Sequence, residues 1–109
     1  MKRFCLALDL KDDPKLKATY LEYHKNVSEA IKTSITDAGI INLDIYCTGN
    51  RLFMIMETTD TFDFNYKKRM DADNQNVQEW ETLMWKYQQP LPWAKQGEKW
   101  ILMDNIFTL

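Results

Sequence analysis

The chain is poor in the residues that most enzyme chemistry leans on. It has one histidine, His24, so no histidine pair is available for a zinc site, and a Ser-His-Asp arrangement would have no choice of base. Its two cysteines, Cys5 and Cys47, stand far apart without C-x-x-C spacing. They are expected to be buried thiols rather than metal ligands or a redox pair, and a structural disulfide would be unusual in the cytoplasm. The three glycines are isolated, which excludes a glycine-rich loop that cradles phosphate. No apolar run approaches the roughly 20 residues that cross a bilayer. The net charge is −2, with both signs spread along the chain, so neither a basic nucleic-acid patch nor an acidic tail is expected. Lys67-Lys68-Arg69 reads as a solvated helix face, and Arg51-Leu52-Phe53-Met54 lacks the glycine and aromatic pattern of an RNA-reading strand. Met1 to Asp9 begins charged and turns apolar. That apolar stretch is too short for a signal peptide, and no small-residue cleavage site follows. A cytoplasmic protein with no nucleic-acid or membrane partner is expected.

Aromatic residues, by contrast, are plentiful, with four Trp and five Tyr. A small domain buries some of them; the rest point to a pocket or an interface. The length of 109 residues predicts one domain over 1–109. Phe4 to Leu10 reads as a first strand. Asp12-Asp13-Pro14 marks a helix start, and Leu16, Tyr20, Tyr23, His24, Val27, Ile31 and Ile35 recur at helical spacing along one continuous amphipathic helix. Gly39 stops it as a C-cap glycine. Ile41, Leu43, Ile45 and Cys47 alternate with polar or aromatic residues in a second strand. Gly49-Asn50 is a tight hairpin loop, and Arg51 to Thr58 is a third strand, apolar on both faces. Helical pieces are predicted from about Thr61 to Met70 and from about Asn76 to Tyr87. Pro90-Leu91-Pro92-Trp93 is an extended loop, and Trp100 to Leu109 is a terminal strand. The order β-α-β-β-α-β, with its second helix in two pieces, predicts a ferredoxin-like α+β fold with an antiparallel sheet. Helices cover one face of such a sheet. The apolar residues on the other face call for a partner, most simply a second copy in a homodimer.

His24 is the first candidate for proton transfer, because an imidazole titrates near neutral pH. The plainer role is a half-buried histidine that packs and makes one hydrogen bond. Tyr20, four residues earlier on the same face, would place a hydroxyl beside the imidazole, an arrangement suited to a small polar substrate. Trp80, flanked by Glu79 and Glu81, is either core packing or a stacking plane for a sugar, whose C–H faces lie on aromatic rings while its hydroxyls seek carboxylates and amides.

Tyr20-x-x-x-His24 after the first strand, Ile45-Tyr46 in the second, Leu52-Phe53-Met54 ending in Glu57 in the third, and Val77-Gln78-Glu79-Trp80 in the last helix together resemble the L-rhamnose mutarotase family over nearly the whole chain. The resemblance implies a dimeric, ferredoxin-like α+β barrel with no cofactor and no metal, interconverting the α and β anomers of a 6-deoxy sugar. It places the family's proton-donating histidine on His24 and its helix tyrosine on Tyr20. A tandem Trp-Trp pair in the rhamnose branch falls on Trp80 and Glu81, so only the first tryptophan is kept. A pocket tyrosine early in the second strand falls on Leu43, which has no hydroxyl. The substrate-binding set is thus Tyr20, Leu43, Trp80 and Glu81, with Trp85-Lys86-Tyr87 as an alternative to Trp80. L-Rhamnose is the first-choice monosaccharide substrate and L-fucose the second, and the competing class is a non-catalytic dimeric α+β module that binds a small molecule or a partner.

Overall fold

A computed structural model describes residues 1–109. Its elements run β1 (Lys2–Leu10), α1 (Pro14–Tyr23), α2 (Glu29–Asp37), β2 (Ile40–Thr48), β3 (Arg51–Thr58), α3 (Phe64–Ala72), α4 (Gln75–Trp85), β4 (Gln88–Gln89) and β5 (Ile101–Leu102). The sheet order is β2-β3-β1-β4, every neighbour antiparallel, and β5 also pairs with β1. This is the ferredoxin-like arrangement expected from the element order.

Period-two alternation sorts the strands. Phe4, Leu6 and Leu8 of β1 stand opposite Met56, Met54 and Leu52 of β3 and, with Leu10, share the side of the sheet that faces the helices. Leu43 and Ile45 of β2 join that face. The Gly49-Asn50 hairpin forms as expected between paired Thr48 and Arg51, with Gly49 at a positive φ of 55° that a side chain would oppose. Asp13 caps α1 by accepting from the backbone N–H groups of Lys15 (2.9 Å) and Leu16 (3.2 Å), with Pro14 in the first turn. Gly39 follows α2 with φ 95°, the left-handed exit that a helix C-terminus favours.

Three expectations are corrected. The first crossover is two helices rather than one. Helix α1 ends at Tyr23, and Ser28 restarts the chain by accepting from the Ile31 N–H. Helical spacing survives the break because both helices lean on the same sheet, so periodicity alone does not reveal it. The fourth strand is also split. Its first part, β4, pairs with Leu10 and Asp9 of β1, and its second part, β5, pairs with Ala7 and Leu6 further along the same edge. Pro90 and Pro92 lack the N–H that a ladder needs, so the intervening chain loops out, pinned by buried Leu91. Nor does the terminal strand run to Leu109. After the Met103 N–H bonds to the Cys5 carbonyl (2.8 Å), the Asn105 side chain takes the Phe107 N–H (2.9 Å), a local turn that competes with the ladder. Ile106, Phe107 and Leu109 are left exposed.

The face of the sheet away from the helices carries Cys5, Ala7, Phe53 and Ile55 half-buried, with Tyr46 exposed. Cys47 is exposed and Cys5 half-buried, and both are free thiols. The exposure of Cys47 departs from expectation because β2 is the outer strand of the sheet. No helix is long and apolar enough to cross a membrane.

Candidate active site

Between the sheet and its helices lies a cavity of about 340 Å³, within the usual range for small-molecule sites. The floor is apolar sheet: Leu6, Leu43, Met54 and Met56. Ile31 and Ile35 of α2 form one wall, and Val77, Trp80, Glu81 and Met84 of α4 form another. Gln88, Lys99 and Trp100 close the side next to the split fourth strand. Trp80 and Glu81 are neighbours in sequence near the middle of α4 (Gln75–Trp85), and both are half-buried at this wall. Of the expected sugar-binding residues, Leu43, Trp80 and Glu81 therefore meet around one cavity. Trp85 does not line it; its ring packs under the Lys99 ammonium at 5.0 Å.

Tyr20 and His24 adjoin the cavity rather than line it. Tyr20 is buried, and Gln88 Nε2 donates to its hydroxyl oxygen (3.2 Å). Gln88 is thus shared between the cavity wall and Tyr20. Burial pushes the Tyr20 hydroxyl above its ordinary value; the Gln88 hydrogen bond pulls it partly back, and Cys47 adds a small upward push. Tyr20 accordingly stays neutral at physiological pH.

His24 is not inside a helix, as its spacing suggested, but is the C-cap of α1. Its Nδ1–H donates to the Tyr20 carbonyl (2.9 Å), one of the acceptors that the helix end leaves free. A carbonyl can only accept, so this bond fixes the proton of the neutral ring on Nδ1 and leaves Nε2 with its lone pair. Nε2 makes no hydrogen bond within the chain and is not sealed from solvent. The imidazole packs against the Tyr20 ring at a tilt (centroids 4.4 Å, planes at 40°) and meets the Trp80 ring edge-on (5.5 Å). Trp80 therefore touches His24 on one side and the cavity on the other.

The sequence pattern missed Gln88, Lys67 and Asp71 of the polar lining. Gln88 follows a helix and reads as loop, with nothing in the sequence to mark it. Lys67 belongs to the run expected to be solvated, yet only Lys68 and Arg69 are exposed. Lys67 turns inward, pairs with Asp71 and lines the cavity with it. Its spacing to Asp71 was a visible signal; its inward direction was not. No three His, Cys, Asp or Glu side chains cluster as a metal site.

The family model described as L-rhamnose mutarotase matches residues 3–109. A protein of Xanthomonas campestris pv. campestris named L-fucose mutarotase is 40% identical over 111 residues, covering 100% of this chain and 89% of its own length. Among solved structures, an L-rhamnose mutarotase from Formosa agariphila superposes with a TM-score of 0.74 at 20% identity, over 100% of this chain and 99% of that one. A dimeric ferredoxin-like protein from an uncultured marine organism gives a TM-score of 0.54 at 16% identity, over 78% of this chain and 76% of that one. At such identities these two structures speak for the fold alone.

Proposed function

Because the chain belongs to the L-rhamnose mutarotase family, we propose that it is an aldose 1-epimerase that interconverts the α and β anomers of a 6-deoxyaldohexose, L-fucose or L-rhamnose. The observation that carries this reading is the cavity, in which an aromatic plane, Trp80, and a carboxylate, Glu81, stand side by side over an apolar floor. A pyranose has the same two needs, a flat surface for its C–H face and acceptors for its hydroxyls. L-Fucose is the first sugar to test. A 40%-identical relative carries that name, and the two departures from the rhamnose-branch pattern, Leu43 and Glu81, both line the cavity.

In this reading the sugar lies on Trp80 with its anomeric end toward His24. Protonated His24 gives its Nε2 proton to the ring oxygen while the anomeric hydroxyl loses its proton to water or to a second polar group. The bond from C1 to the ring oxygen breaks as the C1 carbonyl forms. Rotation about C1–C2 exposes the other carbonyl face, and the reverse transfers close the ring. No atom is gained or lost, and a single positioned acid–base contributes roughly 10²–10⁴ in rate. Tyr20 holds the imidazole by ring contact and through its backbone carbonyl.

The assembly belongs to the same proposal. Of 109 residues only 16 are buried within one chain, and the apolar sheet face around Phe53 and Ile55 has no cover of its own. A second copy laid across it gives a homodimer, with the split fourth strand and the Pro90 to Trp93 loop at its margin.

Saturation-transfer NMR between the anomeric proton signals of L-fucose, L-rhamnose and other aldoses, with micromolar protein, tests the activity. Protein-dependent exchange above the spontaneous rate is expected for a 6-deoxy sugar. If none of the deoxy sugars shows added exchange, the chain is a binding module instead.

A further inference from the structure

Lys67 and Asp71 lie four residues apart on α3, and the Lys67 ammonium donates to the Asp71 carboxylate. Ion pairs at helical spacing commonly sit on a wet surface. Lys25–Glu22 does so with side chains 72% and 72% exposed, and Lys32–Glu29 with 59% and 88%. For Lys67 and Asp71 the figures are 25% and 13%. Both residues line the cavity, and with Glu81 they also line the groove between α3 and α4 into which it opens.

Helix stability does not explain this placement. Helices gain more from an acid that precedes its base by four residues than from the reverse order found here. Asp71 also sits in the last turn of α3 (Phe64–Ala72), where a carboxylate opposes the helix dipole. The pair is badly placed for its own helix and withdrawn from water, and what it faces is the mouth of the cavity.

We propose that Asp71, held in position by Lys67, is the specificity-determining residue that reads the sugar hydroxyls remote from the anomeric carbon. The assignment rests on the mutarotase reading of this cavity. The cavity is apolar on the sheet side and charged at the mouth, and a 6-deoxyhexose has the same asymmetry, a methyl group and C–H faces against an edge of hydroxyls. With the anomeric end toward the Trp80 and Gln88 side, the C3 and C4 hydroxyls lie toward Lys67 and Asp71. Two carboxylate oxygens accept from two adjacent hydroxyls. The Lys67 ammonium occupies one lone-pair direction and so fixes the others. The C4 hydroxyl is axial in L-fucose and equatorial in L-rhamnose, so an acceptor fixed in direction serves one of them and leaves the other unpaired. Lys67 is a positioning residue in this scheme.

The test is a charge swap, Lys67→Asp with Asp71→Lys, which keeps an ion pair at the same spacing, puts the acid first and moves the carboxylate by one helical turn. Exchange rates for L-fucose and L-rhamnose are measured over a range of sugar concentrations, alongside the thermal midpoint. The swapped protein is expected to melt at the same temperature or higher. Its ratio of kcat/KM for the two sugars should shift by about tenfold or more, through KM rather than kcat. A purely structural pair predicts a ratio within about twofold of wild type, and that result overturns the assignment. If the swap does not fold, Asp71→Asn is read by the same criterion. Wild-type protein that exchanges neither sugar removes the mutarotase reading and this assignment together; active wild type with an unmoved ratio in the variant removes the assignment alone.

Discussion

At the residue scale, His24 has two duties that a truncation separates. Its Nδ1–H caps a free helix carbonyl, and its Nε2 is the proposed proton carrier. His24→Ala loses the cap bond, a cost of about 1 kcal/mol, and no other histidine is present to replace its chemistry. The variant should remain folded by circular dichroism while catalysed anomer exchange falls by about 10²-fold or more; near-wild-type exchange in a folded variant removes His24 from the mechanism. Tyr20→Phe keeps the ring packed against His24 and loses only the hydroxyl bonded to Gln88, so exchange should weaken less. The same substitution changes the alkaline limb of stability. Burial raises the folded Tyr20 hydroxyl above its unfolded value near 10, so its contribution is full below about pH 10 and is lost as pH rises through the folded value. Above about pH 10 the urea midpoint of wild type should therefore drop more steeply than that of Tyr20→Phe. Glu81, half-buried at the cavity wall, is tested by Glu81→Gln. A changed ratio of L-fucose to L-rhamnose exchange assigns it to sugar choice, and an unchanged ratio leaves it as part of the wall.

At the element scale, the break between α1 and α2 places His24 at a helix end with its ring free to cap. Ser28 starts the second helix through a long bond to the Ile31 N–H (3.4 Å), whereas Asp13 starts the first through two shorter ones. Removing a cap usually costs about 0.5–2 kcal/mol. Ser28→Ala should fall near the lower end of that range and Asp13→Ala should cost more; chemical denaturation of both variants gives the comparison. Asp13 and Pro14 were legible as a start because side-chain and backbone chemistry coincide at adjacent positions. The pause before Ser28 was not, because the apolar spacing on either side stays in phase with a single helix. The fourth strand shows the same division: Pro90 and Pro92 announce a loop, but that Gln88 and Ile101 pair with one edge of β1 on either side of it follows from the space left on that edge.

At the scale of the whole molecule, the sheet has an apolar centre on each face and only one set of helices. Phe53 and Ile55, on the uncovered side of central strand β3, are half-buried in the isolated chain. Sedimentation velocity over a concentration series should show a dimer. Ile55→Lys, which puts a charge at the centre of that face, should give a folded monomer, because taking an ammonium out of water at an interface, even with Asp44 across the strand, costs more than the apolar contact returns. Wild-type protein that stays monomeric at all micromolar concentrations, or an Ile55→Lys protein that stays dimeric, would place the interface elsewhere or remove it.

The sequence by itself determined the alternation of the strands, the capped start of α1, the hairpin at Gly49, the apolar residues on both sheet faces and the presence of one imidazole four residues after a tyrosine. Each of these is local, written in the spacing of a few residues and the chemistry of their side chains. The tertiary structure alone decided that Trp80 rather than Trp85 lines the cavity, that Gln88 holds the Tyr20 hydroxyl, that Lys67 and Asp71 turn inward and that His24 donates its Nδ1 proton to a backbone carbonyl. These depend on which helix face meets which strand and on how far a chain must travel to fill an edge. Such distances are fixed only when every element packs at once.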